Sequence, residues 1–289
     1  MAKAKFDVYQ TITDDILAAL EAGAKPWTNS WKGQGGGGLP LRHNGEPYQG
    51  INVLVLWCAA QRRGFASPYW MTFRQAKALG AHVRKGETST TVMYYGAGVR
   101  ENAETGEEEG FSFAKAYRVF NAEQIDGLGE AFGAPGAIDT GARAVGAVER
   151  YFAGIGAKVE TRRGTPCYVP ATDTIRMPPV HEFASADAFY SVLAHEHVHW
   201  TARAGRCDRP LDQARQKYAF EELIAEIGAC FVAANAGFTP DIEDSAAYLQ
   251  SWLKALKSDK RFIISAASKA QAAANYLHDR ATAQLAEAA

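Results

Sequence analysis

Four cysteines in 289 residues, with no C-x-x-C pair and none close in sequence, give no disulfide framework and no paired-thiol metal site. Reduced, mostly buried thiols are expected. Long apolar runs are also missing. The longest, "INVLVLWCAA", is about half of the roughly 20 residues that cross a bilayer. The opening "MAKAKFDVYQ" has no apolar stretch of the signal-peptide kind. These absences predict a soluble cytoplasmic protein with no membrane partner. Net charge is scarce too. The formal balance is −1, so any pull toward a polyanion must come from a local patch.

One stretch almost lacks acid. From Lys25 to Lys85 the chain carries nine basic residues (Lys25, Lys32, Arg42, Arg62, Arg63, Arg74, Lys77, Arg84 and Lys85) against Glu46 alone, a net of +8. Rings interleave with that charge, among them Trp27, Trp31, Tyr48, Trp57, Phe65, Tyr69, Trp70 and Phe73. Cations track phosphates, and exposed rings stack on unpaired bases, which a duplex hides. Trp57 and Phe73 are expected in the core. Trp27 and Trp31 lie in a Gly/Pro-rich segment that excludes regular structure and are expected at the surface. The candidate single-strand contacts are Trp27, Trp31, Arg42, Arg62, Arg63, Arg74, Lys77, Arg84 and Lys85.

Periodicity predicts an α+β chain. Apolar spacing gives a helix over Asp7–Glu21, a second along "INVLVLWCAAQRRG" closed by Gly64, and a short third in "MTFRQAKALG" capped by Thr72. "TTVMYYGAGV" and "GFSFAKAYRVF" read as a hairpin around an acidic turn. Small residues from Leu128 to Ala142 mark a boundary. It separates an N-terminal α+β unit (residues 1–130) and a linker (131–142) from a mainly helical unit (143–289). In the last, a helix near Arg143–Gly154 precedes strands near Lys158–Arg162 and Thr174–Met177. Helices follow over Ser185–Arg203, Lys217–Asn235, Ser245–Lys257 and Lys260–His278.

The helix over Ser185–Arg203 contains "AHEHVHW", a match to H-E-x-x-H. Four residues are about one helical turn, so His195 and His199 share a face and can grip one cation. Glu196 would stand where it can take a proton from water attacking a polarised carbonyl, the chemistry of a metallopeptidase. His197 points elsewhere and reads as a surface or supporting histidine. The extended motif with a third histidine is excluded, since Ala202 and Gly205 occupy its glycine and histidine positions. A glutamate on the next helix, "YAFEELIAEIGACFVAANAG", is the other source. Glu226 lies in the most apolar surroundings and is the expected third ligand, with Glu222 as the alternative. Glu221 reads as a solvated carboxylate. Two histidines and a carboxylate suit zinc, with manganese or another divalent ion as the alternative.

The whole chain resembles the ArdC-type antirestriction proteins of conjugative plasmids. The N-terminal part of the resemblance is carried by "KPWTNSW", "YQGINVLVLW", "SPYWMTFRQAKALGAHVRKGE" and "YRVFNAEQ". It is shared with the N-terminal region of plasmid TraC-type primases. The C-terminal part is carried by "FYSVLAHEHVHWT", "YAFEELIAEIGACF" and "AYLQSWLKALKSDKRFIISAASKAQAAANYL". The resemblance implies a single-stranded-DNA-binding domain joined to a zincin-like metallopeptidase domain, and a role in shielding incoming plasmid DNA from host restriction. By the same resemblance His195, His199 and Glu226 would hold the metal and Glu196 would be the general base. His197 departs from the commoner aliphatic residue at that position. Three functions stay open: an antirestriction protein with an active peptidase, a DNA-coating protein whose metal is structural, and a cytosolic metallopeptidase whose target is a host protein, such as one of the restriction system.

Overall fold

A computed structural model describes residues 6–22, 38–101, 108–134, 142–211, 215–241 and 246–287. Trp27, Trp31 and the glycine run before Leu39 lie outside the described residues.

The N-terminal half begins with α1 (Val8–Glu21), whose first turn is closed by Asp7, its carboxylate accepting from the amides of Tyr9 and Gln10. Val8, Ile12, Ile16 and Leu20 recur at helical spacing and are all buried. After β1 (Leu41–Arg42), α2 (Ile51–Arg63) is buried almost all round from Ile51 to Ala60 and stops at Gly64 in the left-handed region (φ 70°). β2 (Tyr69–Thr72) leads into α3 (Phe73–Ala78), where Thr72 and Gln75 form a reciprocal capping box. Thr72 thus caps this helix as expected, and Met71 just before it belongs to β2. Phe73, expected in the core, is 55% exposed, because the capped turn aims it outward while Trp70 and Met71 of β2 take the buried positions.

β3 (His82–Val83) precedes the long β4 (Thr90–Glu101) and β5 (Glu108–Asn121), the hairpin expected from alternation. β6 (Ile125–Asp126) follows. β5 sits between β2 and β4 in an order β1-β2-β5-β4, with only the β1–β2 pair parallel, and β3 pairs with β6 apart from it.

The C-terminal half is α4 (Ala142–Ile155), the strands β7 (Lys158–Thr161), β8 (Cys167–Val169) and β9 (Thr174–Met177), and then α5 (Ala186–Trp200), α6 (Arg215–Ala236), α7 (Ala246–Ser258) and α8 (Phe262–Glu287). β9 is central in the three-stranded sheet, parallel to β7 and antiparallel to β8. β8 is three residues long and without alternation, so the sequence pattern gives no sign of it.

The apolar core does not stop between the halves. Trp57 of α2 meets Phe231 of α6 at a ring separation of 5.8 Å. The Thr13 hydroxyl of α1 donates to the Lys260 carbonyl (2.8 Å), and the Gly50 amide donates to Oε1 of Gln271 on α8 (2.8 Å). One contact fixes how α6 lies on α5. A Cβ at Gly228 would stand 2.8 Å from Cγ2 of Val198, so only glycine lets the two helices approach this closely.

Candidate metal centre

Ser185 caps α5 by accepting the Ala188 amide (3.0 Å), and Leu193, Ala194, Val198 and Trp200 bury one side of the helix. The opposite side delivers His195 and His199, one turn apart, to a cleft also lined by Cys167, Tyr168, Pro170, Leu211 and Tyr218.

The two imidazoles meet Nε2 to Nε2 at 3.0 Å. Glu222 of α6 stands opposite, Oε2 at 3.5 Å from His195 Nε2 and Oε1 at 3.4 Å from His199 Nε2. One donor atom from each of these three residues falls within 4.8 Å of the others. Donors bound about 2.0–2.1 Å from a tetrahedral cation lie about 3.3 Å apart, so this spacing and donor chemistry fit a divalent ion. Glu226, the expected third ligand, is buried (6% exposed) but outside that group. It lies four residues, about 6 Å, farther along α6 than Glu222, and Glu222 is the carboxylate opposite both rings.

Behind the histidines lies a layer of buried charge, and Glu221, expected as a solvated carboxylate, belongs to it. Glu221 is 5% exposed, and its Oε1 lies 3.4 Å from His199 Nδ1. Arg209 grips the same carboxylate with two hydrogen bonds, Nε to Oε2 at 3.1 Å and a terminal nitrogen to Oε1 at 2.8 Å. Further donors of the same guanidinium go to the Thr201 hydroxyl (2.9 Å) and the Val198 carbonyl (2.8 Å). A carboxylate on the outer nitrogen of a ligating imidazole fixes its tautomer and ring plane. Arg209 precedes a proline in an irregular stretch, so its role had no periodic signal.

Charge follows this layout. Burial pushes the His199 imidazole down, but Glu221, Glu222 and Glu196 outweigh it and hold the pKa up at about 9. Burial opposes ionisation of Glu222, yet His195 and His199 hold its carboxyl well below the usual carboxylate range. His197 is neither surface nor ligand. It is fully buried, its Nδ1 bonds the Leu193 carbonyl (2.7 Å), its ring packs 5.1 Å from Phe152, and burial lowers its pKa to about 4. It is thus a neutral core residue on the side of α5 away from the cleft.

Glu196 is 7% exposed and beside the cleft. Its Oε2 accepts the Tyr168 amide of β8 at 2.6 Å. Tyr168 is itself tied down, its hydroxyl donating to Asp173 (2.9 Å), which Arg206 in the turns after α5 holds (2.8 Å).

Residues 6–120 match the family described as the N-terminal domain of anti-restriction factor ArdC, and residues 146–269 match a zincin-like metallopeptidase family. The chain resembles the crystal structure of the antirestriction protein ArdC from the R388 plasmid, metal-free, with a TM-score of 0.84 and 47% identity over 96% of this chain and 99% of that one. This chain belongs to the ArdC antirestriction-protein family. The Mn(II)-bound structure of the R388 protein matches at a TM-score of 0.82 and 46% identity, over 96% and 98% of the two chains. Among curated relatives, the protein y4eC of Sinorhizobium fredii (strain NBRC 101917 / NGR234) is 35% identical over 94% of this chain and 92% of its own length. A DNA primase TraC of Escherichia coli is 34% identical over 94% of this chain, which spans only 27% of that longer protein. The family and the manganese-bound relative support a divalent metal at this centre.

The candidate DNA contacts divide. Arg42, Arg62, Arg63, Arg74, Lys77, Arg84 and Lys85 are all exposed. Three are engaged locally: Arg42 pairs with Glu46 (3.4 Å), Arg63 donates to the Thr88 carbonyl (2.5 Å), and Arg84 pairs with Glu87 (2.8 Å) and Asp126 (3.4 Å). Of the segment's described rings, Tyr48, Trp57 and Trp70 are buried, Phe65 and Tyr69 are half-buried and Phe73 is exposed; Trp57 is core as expected. Among the described residues no helix is long and apolar enough to cross a membrane.

Proposed function

We propose that this ArdC-family chain is a cytoplasmic antirestriction protein that binds single-stranded DNA and protects incoming plasmid DNA from host restriction, with a metal-dependent peptidase centre in its C-terminal half. In this reading residues 1–130 form the DNA-binding unit and residues 143–289 the metallopeptidase unit, joined through 131–142 and sharing one core. The observation that carries the enzymatic part is the convergence of His195, His199 and Glu222 beside the carboxylate of Glu196. His195, His199 and Glu222 would hold the cation, zinc by donor type and manganese as the alternative.

A bound divalent cation supplies Lewis acidity toward a peptide carbonyl. The chain's own residues do the rest. Glu196 is positioned by the Tyr168 amide on Oε2, which assigns Oε1 to take the proton from attacking water and return it to the leaving nitrogen. Glu221, clamped by Arg209, holds His199 with Nε2 toward the cleft. β8 has β9 as its one partner among the described strands, and its residues Cys167 and Tyr168 line the cleft, which suits an extended peptide laid beside it.

The test is plasmid transfer into a restricting host, comparing the native chain with Glu196→Gln after metal content and oligonucleotide affinity are shown to be equal. Loss of protection is expected and directs the search to a cleaved host protein, such as one of the restriction system. Full protection would overturn the enzymatic part. It would leave the second reading, in which the metal braces α5 against α6 and protection comes from coating the strand.

A further inference from the structure

The long hairpin carries a surface that the metal centre does not use. In an antiparallel pair, opposed residues share a face and alternate residues return to it. The pairs Val92↔Tyr117, Tyr94↔Lys115, Gly96↔Phe113 and Gly98↔Phe111 therefore place Tyr117, Tyr94, Lys115, Phe113 and Phe111 on one face of the ribbon. The rings touch in series, with centroids 6.1 Å apart for Tyr117 and Tyr94, 6.4 Å for Tyr94 and Phe113, and 5.9 Å for Phe113 and Phe111. Their planes are tilted or perpendicular, so neighbouring rings do not cover one another. Tyr94 is 51% exposed, Tyr117 44% and Phe111 39%, a clustering that marks a contact surface.

The ribbon is constructed for this. A Cβ at Gly96 would run into the ring of Phe113, and one at Gly98 would stand 2.9 Å from the ring of Phe111. Glycine opposite each phenylalanine lets the ring lie down across the neighbouring strand. Lys115 sets its ammonium 4.8 Å from the Phe113 centroid. Acid lies at the far end of the ribbon, where Glu101 pairs with Glu108.

We propose that this row is the stacking platform for single-stranded nucleic acid. The polynucleotide crosses Tyr117, Tyr94 and Phe113, its phosphates beside Lys115 and away from the acidic end. The proposal rests on the single-strand reading given above and adds an exposed row of rings to a basic segment whose Tyr48, Trp57 and Trp70 are buried. Bases stack on sheet-borne aromatics without regard to sequence, and a duplex offers no free base faces to such a row.

The test uses the full-length protein and a fluorescent oligo(dT) of about 15 nucleotides, within the range of one single-strand site, titrated by anisotropy over a salt series. At about fivefold or more per ring, Tyr94→Ala/Phe113→Ala weakens binding by at least about 25-fold with the salt slope unchanged. Tyr94→Leu/Tyr117→Leu keeps the apolar cover, guards against a folding artefact and weakens binding likewise. Lys115→Gln lowers the salt slope by about 0.7. Native affinity in both double variants, while the native chain binds, overturns the platform and leaves the single-strand reading standing. An absence of salt-dependent binding by the native chain overturns that reading and the platform with it. Variants that keep oligonucleotide affinity but lose protection in plasmid transfer overturn the platform in favour of a protein-docking face.

Discussion

The metal cleft and the ring-bearing ribbon are built from parts at very different sequence distances. His195, Glu196 and His199 lie within five residues on one helix, so helical periodicity alone sets their relation. Tyr94 and Tyr117 are brought together only by pairing β4 with β5, and whether their rings face water depends on what covers that face. Only the first carries its geometry in its spacing. A local motif can be read as a site, whereas a composition bias such as the +8 segment states a budget of charge and rings without saying where the fold spends it.

The largest effect tests whether the local motif suffices for the cleft. If Arg209 and Glu221 set the ring of His199, Glu221→Gln weakens divalent-metal affinity by about 10–100-fold. Arg209→Met, which strands a buried carboxylate, weakens it similarly and lowers the melting temperature as well. Competition against a fluorescent chelator reads the first quantity, and a thermal scan with and without metal reads the second. Native affinity in Glu221→Gln would show that helical spacing alone builds the centre.

The fold class, most helices and the hairpin were legible because their apolar periods are local. Ile12, Ile16 and Leu20 are buried as spacing predicts, and Gly64 closes its helix. That His195, Glu196 and His199 reach one cleft was legible for the same reason. Which carboxylate of the next helix stands opposite the two imidazoles was not. Glu222 and Glu226 lie on one face of α6, and the choice between them depends on how far α6 slides along α5, which Gly228 and Val198 determine from outside the motif. Glu221 looked solvated because nothing near it in sequence announces Arg209 above it. The ring row was not legible because its rings lie apart in sequence and meet only across β4 and β5, whereas the rings that interleave with charge over residues 25–85 include Trp57 and Trp70, which turn inward.

A smaller effect separates exposed cations that are free for phosphate from those already engaged. Lys77 is exposed and makes no ion pair among the described residues, whereas Arg84 is held by Glu87 and Asp126. If both faced the strand, Lys77→Gln and Arg84→Gln would each reduce the salt slope of oligo(dT) binding by about 0.7. The expected result is a reduction for Lys77 and a smaller one for Arg84, whose charge is already compensated. Equal slopes for both variants would show that local ion pairs do not withdraw a cation from phosphate contact.

The smallest effect concerns the tether behind Glu196. The Arg206 guanidinium, with help from the Tyr168 hydroxyl and Arg203, holds Asp173 down at about 2 from its ordinary 3.8. A carboxyl whose folded pKa is depressed stabilises the native state fully above its unfolded value and loses that contribution as pH falls toward the folded one. The melting temperatures of the native chain and Asp173→Asn should therefore differ by a constant amount above about pH 5 and converge between about pH 4 and 2. Partial exposure of the pair keeps the difference small. The consequence for the cleft is positional. Asp173 anchors Tyr168, whose amide holds Glu196, so Asp173→Asn should lower turnover of any cleaved peptide without changing metal affinity. A loss of metal affinity instead would place Asp173 in the support of the histidines. The cleft would then depend on residues as scattered as those of the ribbon.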